Sequence, residues 1–167
     1  MGDIIQFSVG KNPTRSNVDA SKRYSPEDLE NDLLRPDVYK NICMINMINS
    51  KAAPLSKENA GKFFTSNFLK CELDISVINA WYFCYQFNEG TSLKEQITKY
   101  NQGTTLSVRK LTRGLISELE ISLPDLKKQE IIGEIYRNSL IQHALMLKQA
   151  ENMNELTLAI IRKIEND

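Results

Sequence analysis

The last third of the chain carries the longest uninterrupted helical pattern of hydrophobic and polar positions. Apolar side chains recur there every three to four residues, and Gly133 is the only glycine or proline after Pro124. Asp125 is a favourable N-cap, and strong helix formers follow it. The pattern predicts one helix within residues 124–167. At 1.5 Å per residue, a helix of about 40 residues is roughly 60 Å long.

Within this stretch, a narrower apolar seam advances in alternating steps of four and three residues. A mean spacing of 3.5 residues is the repeat of two helices packed along one another. A helix longer than a domain of this size is wide needs a partner, so the sequence predicts pairing with a second helix. The residues predicted to form the contact are Ile132, Ile135, Met146, Ala150, Met153, Ile160 and Ile164.

The first 123 residues predict a small globular domain that mixes helices and strands. A short helix should begin after Ser25, with Pro26 in its first turn. Strands are predicted at 4–9, 38–48, 62–71 and 119–123, a turn at 50–54, and helices at 78–88, 93–100 and from Ser107 to Gly114. The predicted fold class is therefore α+β, with a globular domain at 1–123 and a long pairing helix at 124–167.

The charges balance, and this limits the kind of partner the chain can bind. Lysine and arginine number 21 and aspartate and glutamate also number 21, so the formal net charge is zero. A general nucleic-acid coat neutralises many phosphates and would be more basic. Any nucleic-acid binding must therefore come from a local patch of positive charge.

Two segments, residues 11–23 and residues 104–113, supply candidate patches of positive charge. Residues 11–23 contain four cations against the single acid Asp19, in a loop rich in turn-forming residues. Arginine and lysine can contact phosphates or guanine edges, and threonine hydroxyls also suit phosphates or bases. Ordinary surface charge is the alternative at each position. The candidate DNA-binding residues are Lys11, Arg15, Lys22, Arg23, Thr104, Thr105, Arg109 and Lys110.

The cysteines and the hydropathy indicate a cellular compartment. Three cysteines, an odd number without C-x-x-C spacing, argue against a disulfide framework or a zinc site and fit a reducing compartment. No apolar run approaches the ~20 residues of a membrane span, and the N-terminus lacks the pattern of a signal peptide. We therefore expect a cytoplasmic globular protein.

Catalytic patterns are missing from the sequence. The acids Glu27 and Asp28 stand where a helix start favours negative charge. The lone histidine, His143, lies inside the predicted long helix without a candidate partner, so we expect a packed or surface histidine. Without a nucleotide-binding, methyltransferase or nuclease motif, the sequence predicts no catalytic residue, no cofactor and no metal ligand.

Several short motifs follow one another in a characteristic order. Gly2-Asp3-Ile4 and Gly10-Lys11 open the chain, and a Trp-Tyr-Phe helix, a Gly-Thr-Thr loop and a Leu-Pro-x-Leu-x-x-Gln run follow later. This order resembles one half of the specificity subunit of type I restriction-modification systems. The matching residues over the most specific part, 102–135, are Gly103, Thr104, Leu111, Ile121, Leu123, Pro124, Leu126, Gln129 and Ile132.

The resemblance implies both a fold and a function. Full specificity subunits carry two target-recognition domains joined by two long helices, which pack as an antiparallel coiled coil. Each domain reads one half of a split DNA site, methylation subunits dock on the scaffold, and the specificity subunit performs no chemistry. This chain holds one such unit, so the resemblance implies a non-catalytic half subunit. Its expected partners are double-stranded DNA, the methylation and restriction subunits, and an identical chain or another half subunit.

Two other functions remain open at the level of sequence. The region between Gly10 and Leu69 is short for a domain that reads bases. A protein-interaction module that pairs with or modulates a longer specificity subunit, without reading DNA, is therefore one alternative. An unrelated small enzyme is the other, although no motif favours it.

Overall fold

The computed structural model describes residues 1–12, 19–102 and 111–166. It shows an α+β fold, as the sequence predicts, in which a four-stranded sheet is followed by a long C-terminal helix. The strands are β1 (Ile5–Val9), β2 (Ile42–Asn46), β3 (Lys51–Pro54) and β4 (Phe68–Leu73). The helices are α1 (Pro26–Asp32), α2 (Ala80–Glu89), α3 (Thr91–Gln102), α4 (Arg113–Glu118) and α5 (Leu126–Asn166), with a 3-10 turn at Ala20–Lys22.

The sheet is antiparallel, with the strand order β1-β4-β2-β3. All five residues of β2 are buried, so both faces of the sheet are covered at its centre. Cys43 of β2 lies opposite Cys71 of β4, and its sulfur is 3.7 Å from the sulfur of Cys84 on α2. Helix α2 therefore packs on the face of the sheet from which the Cys43 and Cys71 side chains project. Burial raises the pKa of Cys71 and of Cys84, which keeps both thiols protonated.

Helix α1 covers the opposite face. Side chains alternate along β4, so Phe68 points away from Cys71, and the ring of Tyr24 packs edge-on against Phe68 at 5.1 Å. The Tyr24 hydroxyl donates to the buried carboxylate of Asp32 at 2.8 Å, and the Asn59 amide donates to the other carboxylate oxygen at 2.8 Å. Both oxygens are thus satisfied, which makes this buried acid a structural group.

The predicted start of the long helix is confirmed. The carboxylate of Asp125 accepts a hydrogen bond from the Lys128 backbone N–H at 3.0 Å, as an N-cap does. The helix then continues for 41 residues. The short helix after Ser25 is confirmed too, because the Ser25 hydroxyl and the Asp28 carboxylate form a reciprocal capping box.

A buried glutamine fixes α5 to the start of α2. Gln129 is 1% exposed. Its oxygen accepts from the Asn79 backbone N–H at 2.9 Å, and its nitrogen donates to the carbonyls of Val77 at 3.0 Å and Pro124 at 2.8 Å. Asn79 in turn caps α2 by accepting from two of its first backbone N–H groups. One amide therefore joins both helix starts.

One turn further on, α5 and α2 touch through a glycine. A Cβ atom placed on Gly133 would lie 2.8 Å from the Cβ of Trp81 and 2.9 Å from the Tyr82 backbone nitrogen. Only a residue without a side chain fits at this crossing. Beyond it, Tyr136 packs edge-on against Tyr85 at 5.6 Å. The first third of α5 thus packs with the sheet and α1–α4 into one globular unit, which we call the head.

The turn predicted at 50–54 is wrong, because residues 51–54 form strand β3. Alanine and proline are poor strand formers, so this strand has no clear sequence signal. A distant side chain completes its outer edge. The Asn88 oxygen accepts from the Ala52 N–H at 2.7 Å, and the Asn88 nitrogen donates to the Ala52 carbonyl at 2.8 Å.

The strand predicted at 119–123 is also wrong, since these residues join no sheet. The backbone groups of Glu120 and Ser122 bond to side chains instead: Gln96 pairs with both backbone groups of Glu120 at 2.9 Å, and the Tyr82 hydroxyl donates to the Ser122 carbonyl at 2.7 Å. Gly114 does not end a helix, because it is the second residue of α4, which Thr112 caps.

Candidate pairing surface and candidate nucleic-acid surface

The second half of α5 is exposed on every side. Each residue from 145 to 166 is solvent-exposed, whereas the buried residues of this helix, Gln129, Gly133 and Tyr136, all lie in its first turns. Contiguous apolar patches larger than a few hundred Å² mark interaction surfaces. The large apolar side chains exposed here are Leu145, Met146, Leu147, Met153, Leu156, Leu158, Ile160, Ile161 and Ile164.

Helical geometry gathers the centre of this surface into a stripe. Successive residues turn by 100°, so Ile135, Met146, Met153, Ile160 and Ile164 point within about 40° of one another. We call this set the α5 stripe. Four of the six charged residues of the same half, Lys148, Glu151, Glu155 and Arg162, point to the opposite side. Leu147 and Leu158 are exposed towards that side too, so the α5 stripe is one part of a larger apolar surface, on the side away from these four charges.

At its head end, the α5 stripe meets a notch between α2 and α5. This cavity of about 250 Å³ is lined by Tyr85, Ile132, Ile135, Tyr136 and Ser139. The Ile135 side chain is 64% exposed, while Tyr136 is 8% exposed and forms the floor. Asn88 donates to the Tyr136 hydroxyl at 3.0 Å. Burial raises the pKa of Tyr136 to about 12, so the floor is uncharged at neutral pH.

The structure places the predicted pairing residues in two environments. Six of them, Ile135, Met146, Ala150, Met153, Ile160 and Ile164, are exposed and available to a partner. The seventh, Ile132, is half-buried against the core of the head. Tyr85 and Tyr136, which line the notch, were not predicted as pairing residues. Tyr136 follows Ile132 by four residues, and this helical spacing is the sequence signal that places the two side chains on one side of α5.

The candidate basic residues within the described ranges come together around the segment 63–65. The Lys11 N–H donates to the Phe64 carbonyl at 2.9 Å, and the Phe63 N–H donates to the Lys22 carbonyl at 2.9 Å. Backbone groups of neighbouring residues in an extended segment point to opposite edges. Lys11 and Arg23, which bridge to Thr65 and Phe63, therefore flank this segment on its two sides, roughly 10 Å apart.

The side chains of Lys11 and Lys22 are exposed, and that of Arg23 is half-buried. Lys62 nearby is paired with Asp28 at 2.7 Å, which neutralises it locally. Partial burial raises the pKa of Asp28, but hydrogen bonds from Lys62 and Ser25 outweigh this effect and lower it overall. Arg15 lies outside the described residues.

Three chain segments meet at this end of the sheet. The Gly10 N–H, just after β1, donates to the Phe68 carbonyl at the start of β4 at 3.1 Å. The Leu111 N–H donates to the Met47 carbonyl, just after β2, at 2.8 Å. The candidate residues Thr104, Thr105, Arg109 and Lys110 lie outside the described residues, but the chain that follows them returns to this same end.

The opposite end of the sheet has a different charge. A cleft of about 530 Å³ there is lined by Asp3, Lys40, Glu72 and Asp74 together with backbone and apolar groups. Hydrogen bonds from Ser76 lower the pKa of Asp74, which keeps it ionised. Glu72 is paired with Lys70 at 2.6 Å, so this end combines Asp3 and Asp74 with Lys40, whereas the other end carries the exposed Lys11 and Lys22.

Other candidate chemistry is limited in the ranges that the structure covers. No group of three or more histidine, cysteine, aspartate or glutamate side chains is placed there to hold a metal ion. His143 is exposed on α5. No helix within residues 1–12, 19–102 and 111–166 combines the length and the apolar character of a membrane span.

Comparison with known proteins adds no family. No protein-family model matches the chain, and no curated protein matches its sequence. The class that the fold itself defines is an α+β unit, a four-stranded antiparallel sheet that carries a long C-terminal helix.

Proposed function

We propose that this chain is a non-catalytic half subunit of a type I restriction-modification specificity protein. In this proposal the head reads one half of a split DNA site, and α5 pairs antiparallel with a second copy or another half subunit. Methylation and restriction subunits dock on the assembly and supply the chemistry, in the cytoplasm. The observation that carries the proposal is the exposed apolar half of α5.

The energetics of that half favour a partner. Burying a large aliphatic side chain contributes about 1.5–3 kcal/mol, and α5 leaves nine such side chains in water beyond the head. A free helix also gains little stability from propensity alone. Packing a second helix along the α5 stripe removes part of this apolar surface from water and holds two heads at a set separation.

The charge distribution of the head supports an orientation on DNA. The sheet end that carries Lys11, Lys22 and Arg23 suits a phosphate backbone better than the end near Asp3 and Asp74, where Glu72 is already paired with Lys70. With a zero net charge, binding would rest on few phosphate contacts. We therefore expect modest affinity per head and a gain from holding two heads on one duplex.

Binding measured against salt tests this part of the proposal. Because each phosphate contact releases counterions, log Kd should rise linearly with log salt concentration. Replacing Lys11 and Lys22 with alanine should reduce that slope by about two, one for each lost contact. Lys148→Ala is the matched control, since it removes a lysine from the side of α5 opposite the stripe. An unchanged slope for the head variant would contradict this placement of DNA.

A second candidate function is a protein-interaction module. It would keep the pairing helix and the surface that binds a methylation subunit, but it would read no DNA. The observations that favour it are the balanced charge and the neutralisation of Lys62 by Asp28. Selection from random duplex oligonucleotides separates the two functions. A half subunit that reads DNA enriches one half-site sequence. An interaction module enriches none, yet still co-purifies with a methylation subunit.

A further inference from the structure

We infer that the notch beside Tyr85 and Tyr136 is the seat for the helix end of a second copy of this chain. Ile160 and Ile164 of the second copy would pack against Ile132, Ile135 and Tyr136, so each notch is completed by the other protomer. The inference rests on the helix pairing proposed above. It goes beyond that pairing by specifying which residues of the two α5 helices face each other, that is, a single register.

The spacing of polar positions selects the register. In an antiparallel pair, residues that face each other have numbers with a constant sum, and the seam spacing of four and three permits sums that differ by seven. A sum of 296 sets Ile164 opposite Ile132, Ile160 opposite Tyr136, and Thr157 opposite Ser139. The two hydroxyl residues then face each other, and the apolar end of α5 meets the notch.

The next register fits less well. A sum of 303 sets Ile164 opposite Ser139 and Ile160 opposite His143, so both isoleucines would face polar side chains and the notch would stay open. A parallel pair leaves the notch open too, because Ile160 and Ile164 would lie at the far end from both heads. A sum of 289 would set Ile160 opposite Gln129, which is buried, and Ile164 opposite Asp125. The favoured register is therefore centred on residue 148.

The area that this pairing would bury is close to the smallest that specific interfaces use. At about 25 cal/mol per Å², the 1.5–3 kcal/mol for burying one aliphatic side chain corresponds to roughly 60–120 Å². Seven exposed side chains on each copy then bury on the order of 1,000 Å², close to the lower limit for specific interfaces. These seven are Ile135, Met146, Met153, Leu156, Ile160, Ile161 and Ile164.

Charge does not oppose this contact. No charged residue lies on the α5 stripe between Ile135 and Ile160, so pairing places no ion in the seam. Across residues 141–166, three basic and three acidic residues balance, and two identical helices therefore do not repel each other.

The register also sets the distance between the heads. Gly133 of one copy lies level with residue 163 of the other, 30 residues along the helix from the second Gly133. At 1.5 Å per residue, the two attachment points are about 45 Å apart. That separation corresponds to about 13 base pairs of B-form DNA, at 34–36 Å per turn of 10–10.5 base pairs.

Cysteine cross-linking tests the register directly. Ala150→Cys in one full-length copy is co-expressed with Met146→Cys or Met153→Cys in a second, differently tagged copy, and each mixture is mildly oxidised. The 296 register predicts a rapid disulfide between positions 150 and 146, at least tenfold faster than with position 153. The unaltered chain, whose three cysteines are buried, is the background control.

Each other outcome has a defined meaning. Faster linking to Met153→Cys would establish the 303 register and overturn the seating in the notch while leaving pairing intact. Rapid linking of Ala150→Cys to itself would indicate a parallel pair. If the mixtures sediment as dimers but form no cross-link, the register is also wrong. If the chain is monomeric at all concentrations, the pairing itself fails.

A second measurement probes the notch. Ile164→Glu should weaken the dimer at least tenfold, because it brings a carboxylate against Ile132 in the apolar notch. Leu158→Glu is the matched control: Leu158 is exposed on α5 but points about 120° away from the stripe, so its effect should stay within about twofold. Equal effects of the two variants would contradict the seating of Ile164.

Discussion

The two halves of α5 share one helical apolar period but have opposite surroundings. The half that is docked on the head buries Gln129, Gly133 and Tyr136, and the free half buries none of its residues. The docked half is held by a buried amide, a close backbone crossing and an aromatic contact. The free half presents interchangeable aliphatic side chains.

Under the proposed pairing, this difference lets one helix serve as both an anchor and an interface. Contacts through hydrogen bonds and a glycine are specific in geometry and tolerate few substitutions. Contacts through aliphatic side chains depend mostly on the area removed from water and tolerate conservative changes. We therefore expect substitutions in the docked half to unfold the head, and substitutions in the free half to separate protomers.

The largest effect should come from Gln129→Leu. It removes three hydrogen bonds and leaves the Asn79 N–H and the Val77 and Pro124 carbonyls without their partner. The free energy of unfolding should fall by at least about 3 kcal/mol, since three groups lose their partner and each unsatisfied buried group costs about 1–3 kcal/mol. Urea unfolding followed by Trp81 fluorescence measures it. Asn152→Leu, at an exposed position in the free half that points about 80° away from the α5 stripe, should change the same quantity by less than about 0.5 kcal/mol. Equal losses would erase the distinction between the halves.

Gly133→Ala should cost about 1–3 kcal/mol, because the new Cβ would lie within 3 Å of Trp81 and Tyr82. Alanine normally stabilises a helix relative to glycine by about 0.5–1 kcal/mol. Gly114→Ala provides the control: the nearest atom to its added Cβ is the Thr112 hydroxyl oxygen, at 3.9 Å. It should be neutral or stabilising. A stabilising Gly133→Ala would show that the two helices are not in close contact.

The smallest effect concerns pH. The pKa of Asp28 is lowered in the folded head, so the carboxylate stabilises the head above its ordinary pKa, and that contribution is lost as the pH falls through the folded value. The Asp28–Lys62 pair should contribute less than about 1 kcal/mol. Thermal unfolding from pH 6 to pH 3 should show a shallower loss for Asp28→Asn. If the unfolding temperatures of the unaltered chain and of Asp28→Asn fall in parallel with pH, the Asp28 carboxylate does not contribute to the pH dependence of stability.

The sequence predicts those parts of the fold that local signals encode. Asp125 and Ser25 mark helix starts because their side chains cap nearby backbone groups, and the α5 stripe follows from spacing alone. Strand β3 and the segment after Leu119 were mispredicted because distant side chains, Asn88 and Gln96, satisfy their backbone. Tertiary hydrogen bonds of this kind leave no local pattern.

The candidate nucleic-acid surface and the notch likewise depend partly on local sequence signals and partly on tertiary contacts. Lys11 and Lys22 could be chosen from the density of charge, but their placement on either side of the segment 63–65 depends on two backbone bridges. The notch depends on how α2 crosses α5. Neither arrangement is visible in a linear pattern, because both are set by contacts between residues far apart in the chain.

Sedimentation equilibrium tests the central claim, that a second helix covers the free half of α5, most directly. The unaltered chain should sediment at twice its 19.1 kDa mass. The double variant Met153→Glu/Ile160→Glu should sediment as a folded monomer, with the stability of the head unchanged. A monomeric unaltered chain, or a double variant that stays dimeric, would contradict the account.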